Sequence, residues 1–218
     1  MSLSNLVIGL GGVAQSGKDT FFNIFKKVME SSSGYRVTRY ALADFLKETA
    51  NLWTKQAYNI DCLNASPEEK ALIRDFLVFH GKVMRIKTNG RHWINHLNNY
   101  ILTNAVNDGE GHICVITDIR YDEYEKDEVY WLKKELAGYL LHISMYEFQE
   151  DENGVIKKSF KQPPNQAELE NNPKIKSAAD YVLQWECVKS DSQDELFNKL
   201  SPNVNEVIEN LFQNRWLT

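Results

Sequence analysis

Cysteine is scarce in this chain: Cys62, Cys114 and Cys187 are the only three in 218 residues, and they stand far apart. That scarcity excludes a disulfide-built scaffold and a clustered-cysteine zinc site, and it suits buried or free thiols in a reducing compartment. Long apolar runs are missing too. Nothing approaches the ~18 consecutive apolar residues that a membrane span needs. The N-terminal stretch has no basic segment followed by an apolar one, so no signal peptide is expected and the cytoplasm is the expected location. Nor is there a surplus of positive charge. With 25 Lys and Arg against 30 Asp and Glu, the net charge is −5, which argues against broad electrostatic binding to nucleic acid. Repeats and low-complexity tracts are absent as well.

The composition that remains is 43% hydrophobic, enough for one sizeable core. Its focus is the stretch Gly11–Thr20. An apolar run, Leu6–Leu10, reads as a buried parallel strand. After the stretch, Phe21, Phe22, Phe25, Val28 and Met29 fall on one helical face. The glycines therefore sit where a strand turns into a helix, and the spacing Gly12-x-x-x-x-Gly17-Lys18 is that of a phosphate-binding loop. Glycine lets the backbone approach a phosphate closely. The N–H groups of the loop, including those of Ala14 and Ser16, then face the anion beside a helix N-terminus, and Lys18 adds a full positive charge. Asp19 stands where such loops place a Ser or Thr hydroxyl for Mg²⁺, and Thr20 comes one place late, about 100° further round the helix. Either the Asp19 carboxylate or the Thr20 hydroxyl could serve the metal.

Further along, Tyr35–Tyr40 reads as a second strand and Ala41–Trp53 as a helix. Ser66-Pro67-Glu68-Glu69 is a helix start, with Pro at the first position and acids at the positive end of the dipole. The helix that follows is expected to turn Leu72, Phe76, Leu77 and Phe79 inward and to end near Gly81. Arg91–Leu102 is another helix. His92 and His96 lie one turn apart on it, but Trp93 stands where a zinc-protease motif needs Glu, so both are read as packed or solvent-facing. Asn107–Gly111 closes that helix. His112–Asp118 is a buried strand ending in an acid, Val129–Leu136 a helix and Gly138–Ser144 a strand. Three of the five prolines fall within 150–173, a polar stretch without sustained periodicity, which reads as a long loop or lid. Ala179–Leu183 is a short last strand, and Asp194–Phe212 supplies the closing helices.

Strands alternating with helices imply an α/β fold with a mainly parallel sheet flanked on both faces, whose ligands bind beyond the carboxyl ends of the strands. One domain over 1–218 is expected, with a helical insertion at about 41–100 and the lid at about 146–178. Asp118, at a strand end, can hold Mg²⁺ directly or through water. Arg120 can bind phosphate bidentately, or form a salt bridge to Asp122 or Glu123. Arg74, Arg85 and Arg91 precede that strand. Together these arginines suit a second, phosphate-bearing substrate and so favour a kinase over a simple ATPase.

In these motifs the chain resembles the phage-type deoxynucleoside monophosphate kinases. The likeness runs through Gly12–Thr20, Tyr40–Lys47, Arg74–Gly81 with Arg85 and Trp93-Ile94, Val115–Arg120, and more loosely Glu168 and Ala179–Val182. It implies a P-loop kinase-like three-layer fold, ATP and Mg²⁺ as cofactors, and transfer of a phosphoryl group from ATP to a nucleoside monophosphate. Lys18, Asp118 and Arg120 are then catalytic, and the loop residues Gly12 to Thr20 hold the nucleotide. Asp44, Arg74, Arg85 and Glu168 lie on the acceptor or lid side. Tyr121–Glu125 lacks the usual Pro-Asn-Glu, and Asn165-Gln-Ala-Glu168 stands where His-x-Ser-Glu is common. For a phage-encoded chain the compartment is the host cytoplasm. Other small-molecule P-loop kinases, a non-catalytic ATP-binding regulatory module and a polynucleotide 5′-kinase are the rival readings, and a homodimer is compatible with all of them.

Overall fold

The structure is a computed structural model that describes residues 6–105, 111–150, 152, 154–188 and 192–214, with the side chains of 102–105 left aside. Five parallel strands form the centre of the sheet: β1 (Leu6–Gly11), β2 (Arg36–Tyr40), β3 (His112–Ile119), β4 (Tyr139–Glu150) and β6 (Tyr181–Glu186). Their spatial order is β2-β3-β1-β4-β6, and the outer half of β4 pairs antiparallel with β5 (Ile156–Phe160). Every residue of β3 is buried, as expected of a strand covered on both faces.

Helices cover both faces, giving the three-layer α/β architecture with a mainly parallel sheet expected from the sequence. On one face α1 (Lys18–Ser32) and α7 (Gln193–Gln213) pack Phe21, Phe25, Met29, Val204, Val207 and Leu211 against Ile8, Val115 and Leu141. On the other, α4 (Arg91–Ala105) and a short α5 (Glu128–Tyr130), which runs into a π-helical turn at Trp131–Glu135, bury Trp93, Ile94, Leu97 and Trp131. Helices α2 (Leu42–Tyr58) and α3 (Pro67–Lys87) stand between β2 and α4 and hold a small core of their own, Ala50, Ile60, Cys62, Ala65 and Ile73. Among the described residues no helix is long and apolar enough to cross a membrane.

Three expectations need correcting. The stretch 150–173 is not a loop, since it contains β5 and most of α6 (Gln166–Ala178). Asn165 caps α6 by accepting the Glu168 N–H at 2.9 Å. Helix α3 runs past Gly81 to Lys87, its start fixed by a capping box between Ser66 and Glu69. Its inward residues are Ile73 and, partly, Phe76 and Leu77, whereas Leu72 and Phe79 are 77% and 66% exposed. The last strand also sits slightly later than Ala179–Leu183, and a single helix closes the described chain. Apart from Gly111, the turn expected at Asn107–Gly111 lies outside the described residues.

Candidate nucleotide and acceptor site

The loop between β1 and α1 is built around two left-handed glycines. Gly12 has φ 129° and Gly17 φ 90°. A β-carbon at Gly12 would collide with the Ile143 carbonyl, and one at Gly17 with the Trp185 ring, so close approach as well as backbone conformation demands glycine at both. Trp185 buttresses the loop from β6, its indole N–H donating to Ser16 O at 3.0 Å. Helix α1 starts at Lys18 without a side-chain cap, which leaves its first N–H groups facing the loop cavity.

Lys18 is 7% exposed and donates its Nζ protons to Gly12 O and Val13 O, both at 2.8 Å. Burial, and next the charge of Arg120, lower its pKa to about 8, against the opposing pull of Glu168, Asp118 and Asp19. Glu168 reaches in from α6. Its Oε2 accepts the Ala14 N–H at 2.7 Å, and its Oε1 lies 3.3 Å from Arg120 Nη1. A carboxylate thus sits on a loop amide that an anion would use. Two polar atoms at this spot, Ser16 Oγ and Arg120 Nε, are buried with no hydrogen-bond partner. An amide already holding an anionic oxygen, a buried cation and a glycine cradle fit the phosphate chain of a nucleotide.

Asp118 lies at the end of β3. The parallel register pairs Tyr40 of β2 with Ile116, so the chain leaving β2 turns into α2 right beside Asp118. The N-cap of α2, Ala41, has no polar side chain, and Asp118 supplies the cap from across the sheet. Its two oxygens accept the Leu42 and Ala43 N–H groups, each at 2.8 Å. Two helix N-termini therefore meet here, one capped by a carboxylate and one open.

These groups line a cavity of about 420 Å³ whose walls include Lys18, Asp19, Thr20, Asp44, Asp118 and Arg120. A second, more apolar cavity of about 230 Å³ lies between α2, α3 and the end of β3, against Leu46, Leu77, Val78 and Trp93. Ala43, Lys47, Asp118 and Arg120 line both. The two spaces meet at Arg120, whose side chain is 39% exposed.

The remaining expected residues divide. Asp44 lines the first cavity and pairs with Arg39 at 2.8 Å, and Arg39 in turn lies 3.7 Å from Asp19. The Asp19 side chain is largely exposed, and the neighbouring Thr20 is half-buried. Both line the Lys18 cavity, as Asp118 does, so all three candidate Mg²⁺ ligands border one space. No group of three or more His, Cys, Asp or Glu among the described residues could cage a metal. Mg²⁺ does not need one: it keeps several waters and is held by one or two protein oxygens together with substrate phosphates. Arg74 is exposed on α3, one turn before Leu77 and Val78, and lines neither cavity.

Arg85, expected on the acceptor side, has its guanidinium engaged within the protein. It does touch the second cavity, but its guanidinium lies 2.8 Å from Asp127, 3.2 Å from Glu128 and 3.2 Å from Glu123. It also lies 3.8 Å over the Tyr121 ring. Burial alone would lower its pKa, but Glu128 and Asp127 outweigh that and raise it. Both of its terminal nitrogens, Nη1 and Nη2, are committed to protein carboxylates. Glu128 also accepts the Arg120 N–H at 2.6 Å and the Tyr121 N–H at 3.0 Å, so the Arg85 cluster fixes the backbone on which Arg120 stands. Nor does Arg120 bridge Asp122 or Glu123; its carboxylate partner is Glu168.

Sequence reasoning missed Arg39, Lys47 and Lys161. Lys47 lies one turn after Asp44, a spacing that offered a signal. Lys161, just past β5, donates to Gln15 Oε1 at 3.0 Å across a separation that offered none. His92 and His96 pack against each other, with ring centroids 4.8 Å apart.

No protein-family model matches the chain, and no curated protein does. Among solved structures it is similar to TT1252 from Thermus thermophilus at 15% identity and a TM-score of 0.44, covering 95% of this chain and 98% of that one. It is also similar to a gluconokinase from Sinorhizobium meliloti 1021 at 10% identity and a TM-score of 0.36, covering 96% and 97%. Likenesses this remote carry no argument about this chain.

Proposed function

We propose that the chain is a kinase that transfers a phosphoryl group from ATP, with Mg²⁺, to a nucleoside monophosphate, the deoxynucleoside form being favoured by the resemblance of its motifs. The observation that carries this reading is the pair of cavities sharing Asp118, Arg120 and Lys47, one at the phosphate loop and one beneath α2 and α3. A donor seated on the loop and an acceptor in the second cavity would bring their phosphates together at Arg120. Bound ATP would supply the phosphoryl group, and Mg²⁺ would neutralise its oxygens.

The chain's own part is electrostatic and positional. Lys18, the loop N–H groups and the open end of α1 stabilise charge on the donor side. Arg120 leaves Glu168 and turns towards the transferring group, while Glu128 and the Arg85 cluster hold its backbone. Asp118 positions the first turn of α2, which forms a wall of both spaces. The nearby carboxylates favour a phosphate acceptor over a hydroxyl. Asp118 takes two N–H groups, Glu168 takes Ala14 and Arg120, Glu128 takes the Arg120 and Tyr121 N–H groups and pairs with Arg85, and Asp44 takes Arg39, so each of these four is engaged by donors and not free to act as a general base. A phosphate monoanion or dianion needs no such base.

The test is a screen of ribo- and deoxyribonucleoside monophosphates with ATP and Mg²⁺, following ADP and diphosphate together. Diphosphate formed in step with ADP supports the reading. ATP binding without turnover on any monophosphate would overturn it in favour of a regulatory module, and turnover only on hydroxyl acceptors would redirect it to another small-molecule kinase.

A further inference from the structure

Helix α6 divides at Pro173. Proline has no N–H to donate, so the Leu169 carbonyl loses its helical partner and the two halves are loosely joined. The second half is seated by Ile175, 2% exposed in the core on the α4 face of the sheet. The first half has no such seat. From Gln166 to Asn172 it buries Glu168 and Asn171, and both are polar. Hydrogen bonds hold this half down where apolar packing holds the other.

The Glu168 carboxylate lies on the Ala14 N–H and beside Arg120. Asn171 stands three residues on, on the same side of the helix, and is fully buried. Its Oδ1 accepts the Asp122 N–H at 3.0 Å, and its Nδ2 donates to Glu123 Oε1 at 3.0 Å. A further bond from Nδ2 to Ala167 O, at 2.9 Å, orients the amide within its own helix. Glu123 is held in turn by Arg85 at 3.2 Å. The first half of α6 is thus tied to the segment that follows Arg120. A carboxylate and a phosphate oxygen cannot both occupy the Ala14 N–H. Nucleotide phosphates must therefore lift Glu168 off the loop, against whatever holds the helix down.

We infer that Asn171 is a positioning residue that latches the first half of α6 over the loop, so that Glu168 stands in for a phosphate oxygen until nucleotide displaces it. The inference rests on the donor half of the proposed function. Molecules with the latch shut cannot take phosphate at Ala14, so apparent affinity is lowered by the fraction that is open. Weakening the tie raises that fraction.

The test is calorimetric titration of the full chain with ATP and with inorganic phosphate. Asn171→Leu, close to Asn in size, removes both ties and should tighten binding about fivefold. Glu168→Gln should tighten it about tenfold, and the double variant should bind no tighter than Glu168→Gln alone, because both changes open one latch. Glu123→Ala, at a half-exposed position, should act like Asn171→Leu. Glu123→Gln, whose amide oxygen still accepts from Asn171, should give most of that gain back. Melting curves check that each variant folds, and lost packing alone would not reproduce this pattern of gains. Unchanged or weaker binding in Asn171→Leu and Glu123→Ala, or gains that multiply in the double variant, would overturn the latch. Monophosphates that are never phosphorylated would sink the proposed reaction and leave these titrations standing. Ligands that bind none of the proteins would remove the phosphate seat and the latch together.

Discussion

The phosphate loop and the helical insertion face each other across Arg120, yet they are anchored in different ways. The loop is seated on the main core, with Phe21 and Phe25 of α1 below it, Trp185 bonded to Ser16 and Lys18 tied to two loop carbonyls. Helices α2 and α3 rest on a five-residue core and carry large exposed apolar side chains. On the proposed reading this sets a preorganised donor seat beside a lightly anchored acceptor wall, so that the acceptor side moves and the donor side holds. Opening free energies across a structure follow the same gradient of buried contact.

The largest effect should come from the rigid side. Lys18→Ala removes the loop's one cation, and loss of such preorganised stabilisation costs roughly 10²–10³ in kcat. Turnover close to normal would break the comparison at its donor end. Circular dichroism should show the sheet intact, because Lys18 contacts only loop carbonyls.

Two arginines sharpen the contrast next. Arg85→Ala strands Asp127 and Glu128 in the interior, and breaking a buried ion pair from one side costs about 3–5 kcal/mol of stability. Arg120→Ala should leave the melting point nearly unchanged. It should lower acceptor kcat/KM by about 30-fold to several thousand-fold, the ~2–5 kcal/mol worth of a desolvated charged contact. Arg74→Ala, exposed and outside both cavities, should do far less than either. A matrix of melting curves and two-substrate kinetics separates the three. An Arg85→Ala variant that is stable but blind to acceptor would return Arg85 to the acceptor site.

Glu168→Gln tests the plug on the loop. Removing a charge that competes for the Ala14 N–H and Arg120 should tighten inorganic phosphate or ATP binding about tenfold, ~1.4 kcal/mol. Weaker binding would mean that Glu168 holds the loop in shape instead of guarding it. The same titration has a pH signature. Lys18 is charged below its pKa of about 8 in the ligand-free protein and neutral above it, so ATP affinity should be level from that value down to the terminal phosphate's own second pKa, ~6. Above the Lys18 pKa, affinity should fall towards about tenfold per pH unit, the limit for one required proton. Lys18→Arg, which stays protonated across that range, should flatten the fall.

How much of this was legible depended on whether a signal was local. Gly12, Gly17 and Lys18 announce the loop because the turn itself needs those residue types, and the apolar run ending in Asp118 announces β3. The cap that Asp118 makes on α2 is invisible until β2 and β3 are in register, since 75 residues separate Asp118 from Ala43. Arg85 looked available because its partners Glu123, Asp127 and Glu128 arrive some forty residues later. Strand β5, Ile-Lys-Lys-Ser-Phe, has no buried face to write an alternation into its sequence, and α6 carries Pro173 and few apolar residues. In α3 the period was readable but the direction was not, because Leu72 and Phe79 are exposed while their neighbours Ile73, Phe76 and Leu77 turn to the small core.

The smallest effect concerns the metal and decides which end of the donor seat is finished by side chains. Asp19 is largely exposed and 3.7 Å from Arg39, a cation that draws its carboxylate towards Asp44's side of the cavity. Thr20 is half-buried in the first turn of α1, a neutral hydroxyl that adds no charge beside a triphosphate. Asp118 lines the same wall, but an N–H group already occupies each of its oxygens, which leaves it better placed to orient a metal-bound water than to replace one. Thr20→Val should therefore raise the Mg²⁺ concentration for half-maximal rate several-fold, in line with ~1 kcal/mol for one lost neutral contact. Asp19→Asn should shift it less, because Arg39 already screens that carboxylate from the cavity. Rates followed across a Mg²⁺ titration at saturating ATP give the answer. A larger shift for Asp19→Asn than for Thr20→Val would reverse the assignment and make the departure from Ser or Thr at this position a carboxylate ligand in its own right.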